Sequence, residues 1–419
     1  MKLTTFDNKL RLITKNNPQS ESVTALVLVG AGSRYETKDI NGISHFLEHM
    51  FFKGGEKFQN TKQVSQAIDG IGGDFNAFTG KEYAGYYVKV SKNHLNTALE
   101  VLSDMLISAR HPKEEIEKER GVILEELNMY QDTPMYQIGW DFEKLIFGDT
   151  PLGRDTIGSK ELIKTVTQEQ FFDYQNKLYT PDNTVIAICG NFDEEKLIKQ
   201  IPDYFAFKDS QKQLELAKFE GYQTEKRLHV IHKKTDQAHL VIGYPGPGLN
   251  SEEKWAAKIM SIILGGNMSS RMFLNIREQK GLCYYIHTSN DEYFDAGTIS
   301  TRAGVDVNRI QDALTSIMAE YHEIAKNGVS QDELHRAKEY YKGKISLKME
   351  DSEEQAHFFA RQELIIKDKM SVQDIKEKID QITLEQVNKI AQKFLVDKNL
   401  YTSIIGPYTE EEIQKILNI

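Results

Sequence analysis

Cysteine is almost missing from this chain: Cys189 and Cys283 are the only two in 419 residues, far apart and without a CxxC neighbour. That pattern excludes a disulfide framework and a cysteine-held metal, and leaves two core thiols. Long apolar runs are missing as well. The opening MKLTTFDNKLRLITKNNPQS holds none long enough for a signal segment, and no later stretch approaches the roughly 18 apolar residues of a membrane span. A cytoplasmic protein with no membrane partner is the expectation. Positive charge is in deficit, with 52 Lys and Arg against 62 Asp and Glu for a formal net charge of −10. That argues against nucleic acid as a partner, which calls for a basic face, and leaves basic peptides open. What is present is ordinary globular composition, 40% hydrophobic and 27% charged. A chain of 419 residues exceeds what one core supports, so two domains of about 200 residues are expected.

One stretch departs from this plain background. Gly42-Ile43-Ser44-His45-Phe46-Leu47-Glu48-His49-Met50 puts two imidazoles and a carboxylate within five residues. If it is helical, His45 and His49 are i,i+4 neighbours and Glu48 lies three residues from His45, so all three share a face. Zinc takes neutral imidazole nitrogens at roughly 2.0–2.1 Å, and a catalytic zinc keeps three protein ligands and an open position for water. A carboxylate beside the pair can take the proton of that water, whose pKa the metal lowers to about 7. The order His-x-x-Glu-His reverses the commoner zincin order and is the inverzincin pattern. A helix that merely carries two histidines is the bland alternative, and a third ligand elsewhere would decide between them.

The stretch Pro112 to Asp132 reads as a helix with a proline at its first turn. Ile116, Ile123, Leu127 and Tyr130 form one stripe, and Glu119 and Glu126 fall on it, whereas Glu125 is turned about 100° away. A carboxylate on a packing face costs free energy unless it is paired or bound to a metal, so Glu119 and Glu126 both call for a partner. A metal held by two histidines would supply one. A stripe that tolerates two acids near a helix start is the other reading.

Taken in order, Leu10–Lys15 and Val23–Gly30 read as strands, Lys62–Ile71 as a helix, Asp74–Thr79 and Tyr83–Val90 as a strand pair, and His94–Ala109 as a helix. Asn76 to Thr79 can be a sheet edge that accepts an extended peptide, or an ordinary hairpin arm. Pro151–Val166 reads as loop and turn, Thr167–Leu178 as helix and Asn183–Gly190 as a buried strand. The composition then turns polar from Phe207 to Glu225. The second half repeats the order, with a strand ending at Val241–Tyr244, a helix Glu252–Leu264 without histidine, a strand pair around Gly297–Val305 and a helix Asn308–Ile324. The expectation is a duplicated α+β unit: two homologous domains, each a mainly antiparallel sheet packed against helices, at 1–210 and 226–419 with a linker at 211–225.

Beyond His45–Met50, the segments Gly73–Thr79, Glu119–Glu126, Tyr179–Asn183, Gly265–Arg271 and Arg277–Tyr284 resemble the pitrilysin/insulysin family of inverted-motif zinc peptidases. The likeness is to its short bacterial type and to the mitochondrial processing peptidase β-subunit, and it covers nearly the whole chain. The resemblance implies one Zn2+ per chain held by His45, His49 and Glu126, with Glu48 as general base and Glu119 supporting the site. It implies that Asn76 and Ala77, with Phe78 next to them, lie on an edge strand that pairs with the substrate backbone. It also implies that Arg277 and Tyr284 contact substrate near the scissile bond. Long family members carry four such domains around a chamber, so a chain with two is expected to act as a homodimer on peptides or unfolded segments. The alternatives are a non-catalytic structural or substrate-presenting subunit, and a metal-sensing or storage protein, which would not need Glu48, Arg277 or Tyr284.

Overall fold

Both halves of the chain run through the same order of elements in the computed structural model, which describes residues 1–208, 210–366 and 368–418. The first half comprises β1 (Lys2–Thr5), β2 (Arg11–Asn16), β3 (Ser22–Val29), α1 (Ile43–Phe51), α2 (Thr61–Asp69), β4 (Asp74–Thr79), β5 (Ala84–Ser91), α3 (Leu95–Ile107), α4 (Lys113–Asp132), α5 (Pro134–Phe147), α6 (Lys160–Thr165), α7 (Gln168–Leu178), β6 (Thr184–Gly190) and α8 (Glu194–Tyr204). The second comprises β7 (Leu228–His232), β8 (Gln237–Gly246), α9 (Lys254–Gly265), a π-helical turn (Phe273–Gln279), β9 (Cys283–Glu292), β10 (Gly297–Asp306), α10 (Ile310–Asn327), α11 (Gln331–Lys348), α12 (Ser352–Ile365), α13 (Val372–Gln381), α14 (Leu384–Phe394), β11 (Tyr401–Gly406) and α15 (Glu410–Leu417).

The sheets repeat as well. One has the strand order β1-β2-β6-β3-β5-β4 and the other β7-β11-β8-β10-β9. In each, a single parallel pair (β2 with β6, β7 with β11) sits among antiparallel neighbours. This is the α+β, mainly antiparallel architecture expected from the alternation of apolar residues. Pro151–Val166, expected to be loop, contains α6, started by Ser159, whose hydroxyl accepts the Leu162 N–H at 3.2 Å. A two-turn helix is too short to show a period.

The compact units cut across the linear division at 211–225. One consists of residues 1–127, 154–217 and 347–369, the other of 128–153, 218–346 and 370–419; residues 209, 367 and 419 lie outside the described residues. In the first unit α12 packs on β3 and β6, where Ala356 and Ala360 join Leu26, Leu28, Val185 and Ala187 in a buried cluster. Asp351 caps that helix by accepting the Glu353 and Glu354 N–H groups, and it also pairs with Lys89 of β5 at 2.5 Å. The Ser352 hydroxyl is 2.8 Å from that of Thr24 on β3. In the second unit α5 covers β8 and β11, with Ile138, Phe142 and Ile146 against Val241 and Ile405. Each unit is thus completed by the helix that follows the long α4 or α11 of the opposite half.

Candidate active site

The site is built on α1, and its start is fixed by a buried acid. Gly42 takes a left-handed φ of 107°, with its Cα side so close to Gly158 and Ile157 that a Cβ would fall 2.7 Å from their backbone. The Glu36 carboxylate accepts the Gly42 N–H at 2.7 Å, the Ser44 N–H at 2.8 Å and Asn41 Nδ2 at 2.9 Å, satisfying donors that the first helical turn leaves free. Ile43, Phe46, Leu47, Met50 and Phe51 are buried on one side of α1. His45, Glu48 and His49 are left half-buried on the other, as their spacing requires.

The long helix α4 brings the acids. Ile116, Glu119, Ile123 and Leu127 are its buried stripe. Glu126 is half-buried beside them and Glu125 is exposed, the orientation expected from helical phase. Glu119 Oε1 accepts from His49 Nδ1 at 2.9 Å, and Lys53 donates to Glu119 Oε2 at 2.5 Å. Burial works to raise the Glu119 carboxyl, but the hydrogen bonds from His49 and Lys53 and their charges outweigh it and hold it low. Lys53 was not among the expected site residues. It continues the i,i+4 series from His45 and His49, which was the available signal.

His45 Nε2, His49 Nε2 and the Glu126 carboxylate converge. Glu126 Oε1 lies 3.7 Å from His45 Nε2, and Oε2 lies 3.5 Å from His49 Nε2. These separations are too long for good hydrogen bonds, yet they match the ~3.4 Å edge of a tetrahedron with arms of about 2.1 Å. One donor atom from each of the three residues lies within 4.8 Å of the others, the only such group of three or more among the described residues. The contact between His49 Nδ1 and Glu119 leaves Nε2 facing Glu126, the kind of outer hydrogen bond that orients metal-ligating histidines. Burial, and then the His49 charge, push the His45 imidazole down to about 3, so the ring stays neutral, the form a metal takes. Two imidazoles and one carboxylate fit a zinc ion in number, type and spacing.

Glu48 stands at the rim of this group. Burial, assisted by the Glu126 charge, raises its carboxyl, while a hydrogen bond from Thr79 and the His49 charge oppose the rise. Thr79 Oγ1 donates to Glu48 Oε2 at 2.5 Å. Thr79 closes β4, a strand paired on one side only, with β5. Asn76 on that edge is exposed, and its Oδ1 accepts the Ala77 N–H at 2.9 Å. Phe78 points the other way: its side chain packs among Leu26, Leu28 and Ala356 with its ring 5.1 Å from that of His357. Strand alternation, which puts Thr79 on the α1 side, turns Phe78 to the α12 side.

Arg277 and Tyr284 belong to the second unit. Arg277 lies in the π-helical turn with its guanidinium 4.6 Å from the Phe273 ring centre, and Tyr284 on the edge strand β9 is 75% exposed.

Known proteins resemble this chain along nearly its whole length. The family model described as insulinase (peptidase family M16) matches residues 11–160, and the one described as peptidase M16 inactive domain matches residues 165–341. A Bacillus subtilis chain named as an uncharacterized zinc protease, YmxG, is 34% identical and covers 96% of this chain and 97% of its own. An uncharacterized zinc protease of Streptomyces coelicolor is also 34% identical, covering 99% of this chain and 91% of its own. Among solved structures, a protease from Helicobacter pylori has the same fold, with a TM-score of 0.89 at 22% identity over 97% of this chain and 99% of that one. No helix among the described residues is long and apolar enough to cross a membrane. With relatives this similar along nearly its whole length, the chain belongs to the M16 (insulinase) family of peptidases.

Proposed function

We propose that this chain is a zinc-dependent endopeptidase. The observation that carries the reading is the convergence of His45 Nε2, His49 Nε2 and the Glu126 carboxylate within 4.8 Å, with Glu48 on the same helix face. Relatives named as zinc proteases support the choice of metal. His45, His49 and Glu126 would hold one Zn2+, and Glu119 would keep His49 in the tautomer that presents Nε2. A zinc ion bound there supplies Lewis acidity toward a carbonyl and lowers the pKa of water to about 7.

The chain's own residues do the rest. An extended peptide adds to the outer edge of β4 at Asn76 and Ala77, in place of the local bond between Asn76 Oδ1 and the Ala77 N–H. Glu48 takes the proton of the attacking water as its oxygen bonds to the carbonyl carbon. When the C–N bond breaks, Glu48 returns that proton to the leaving nitrogen. Arg277 and Tyr284 are read as substrate contacts, and the working form as a homodimer that encloses peptides or unfolded segments. Both rest on the family resemblance.

Glu48→Gln tests the reading. The amide fills the same space and cannot accept a proton, so the zinc content should stay at one per chain. Cleavage of a quenched-fluorescent peptide should fall by roughly 10²–10⁴-fold. Wild-type turnover in a zinc-loaded Gln variant would remove Glu48 from the base role. A purified chain that binds no zinc would remove the metal.

A further inference from the structure

The base has one hydrogen-bonded tether among the described residues, and that tether stands on the strand the substrate is read to join. Among the described residues, the Thr79 hydroxyl is the hydrogen-bond partner of the Glu48 carboxylate, Oγ1 to Oε2 at 2.5 Å. Thr79 is the last residue of β4 and is paired in register with Ala84 of β5. Phe75, two positions before Ala77, has its ring 5.8 Å from that of Phe52, just beyond α1. Phe75, Ala77 and Thr79 therefore present one strand face to α1, and Phe78 the other.

We propose that Thr79 is a positioning residue for the base, its hydroxyl fixing Glu48 Oε2 so that Oε1 alone is presented for proton transfer, in register with a peptide lying on β4. The inference rests on the endopeptidase reading and adds to it a residue that touches neither metal nor peptide side chain.

The chemistry favours a threonine in this place. A glutamate side chain loses on the order of 1.5–2 kcal/mol of rotamer freedom when fixed, and a half-buried Glu48 held by nothing would spend time turned toward solvent. A β-branched residue is stiff at χ1, so the donor on Thr79 is as well placed as the strand itself. A carboxylate has two oxygens, and engaging one leaves the second free for the water proton. Because the donor sits on the edge strand, a small shift of β4 carries the base and the docked peptide together. The separation between base and scissile bond is thereby kept, and a displacement of only ~1 Å can cost 10²-fold in rate.

The test uses the full chain and the peptide that the wild type cleaves best from a quenched-fluorescent library of randomised sequence. Thr79→Val keeps shape and β-branching and removes only the hydroxyl. We expect kcat to fall about 10–100-fold, the usual cost of losing an orienting partner, with KM changed by less than about 3-fold. Zinc content and melting temperature should stay at wild-type values. Thr79→Ser restores the hydroxyl and should recover most of the lost kcat. Undiminished kcat in Thr79→Val overturns the proposal. So does a Ser variant as impaired as Val, or a loss that follows zinc content or melting temperature, since each points to packing. Glu48→Gln separates the layers. If it still hydrolyses peptide, base and tether fall together; if it is inactive and Thr79→Val is fully active, only the tether falls.

Discussion

The two halves fold to one plan, and only one carries the acids and imidazoles. Their sheets match strand for strand once the extra edge strand β1 is set aside. Even details recur: α7 and α14 both open with a Thr…Gln capping box, and both end on a residue near φ −85° with ψ 67° or 66°. The contrast is sharpest between α4 and α11. The buried stripe of α4 is Ile116, Glu119, Ile123 and Leu127, and that of α11 is Leu334, Ala337 and Ile345. Setting the stripes in register puts Ala337 in the place of Glu119 and Lys344 in the place of Glu126. On the preceding pair, α1 leaves His45, Glu48 and His49 half-buried, whereas α9 buries Trp255, Ile259, Met260 and Ile263 and has no histidine. The fold therefore holds without any of the site residues. In the first half the carboxylate of Glu119 on the packing stripe carries a cost in free energy, offset by His49 and Lys53.

The largest effect expected from breaking this likeness is loss of folding. The halves share a plan but exchange α5 and α12, so residues 1–217 alone would leave the Leu26, Leu28 and Ala187 side of the sheet uncovered. Each large apolar side chain re-exposed costs about 1.5–3 kcal/mol, against a total of about 5–15 kcal/mol for a typical domain. We expect 1–217 to show no cooperative thermal transition and 218–419 to restore one on mixing. A sharp transition in 1–217 by itself, near the melting temperature of the full chain, would refute the dependence on α12.

A smaller change should erase the functional difference and spare the fold. Glu126→Lys copies Lys344 into α4, and we expect zinc to be lost and peptide cleavage to fall by more than about 10²-fold, since an outer-sphere partner alone is worth about 10–100-fold. Glu125→Lys, one residue earlier on an exposed face, should leave metal content near wild type. Far-ultraviolet circular dichroism should be unchanged in both. Equal zinc loss in the two variants would mean that general charge, and not the position of Glu126, governs binding.

The local geometry of the site was legible because helices impose it: spacing places His45, Glu48 and His49 on one face, and phase separates Glu126 from Glu125. Duplication was legible too, from the recurrence of element order. The exchange of α5 and α12 was not, because an amphipathic helix records that it covers a sheet and not which sheet. Thr79 and Lys53 were hidden for a related reason. A hydroxyl at a strand end and a lysine one turn past a histidine are common features, and only tertiary approach gives them partners. Phe78 shows the limit of a motif: its backbone lies on the edge strand while alternation sends its side chain to the opposite face.

The smallest effect separates the two kinds of acid on the paired helices. Glu333 near the start of α11 is fully matched within its own unit: Arg271 donates to it through Nε at 2.6 Å and Nη2 at 2.8 Å, and Ser330 donates its N–H and hydroxyl at 2.8 Å each. Burial by itself would raise that carboxyl, but the hydrogen bonds from Arg271 and Ser330 and the Arg271 charge bring it down from 4.5 to about 2. The folded chain thus releases this proton more readily than the unfolded one. The stabilisation is complete above about pH 4.5, declines as the pH falls because the unfolded chain takes up the proton first, and is gone below about pH 2. With both side chains partly exposed to water, its size should be on the order of 1 kcal/mol. Urea unfolding of the full chain and of Glu333→Gln between pH 6 and pH 2.5 measures it, provided the slopes on denaturant agree. The wild type should be the more stable at pH 6, and the two curves should converge toward pH 2.5, because other carboxylates act equally on both. Parallel curves across that range would show that the Arg271–Glu333 pair adds nothing to stability.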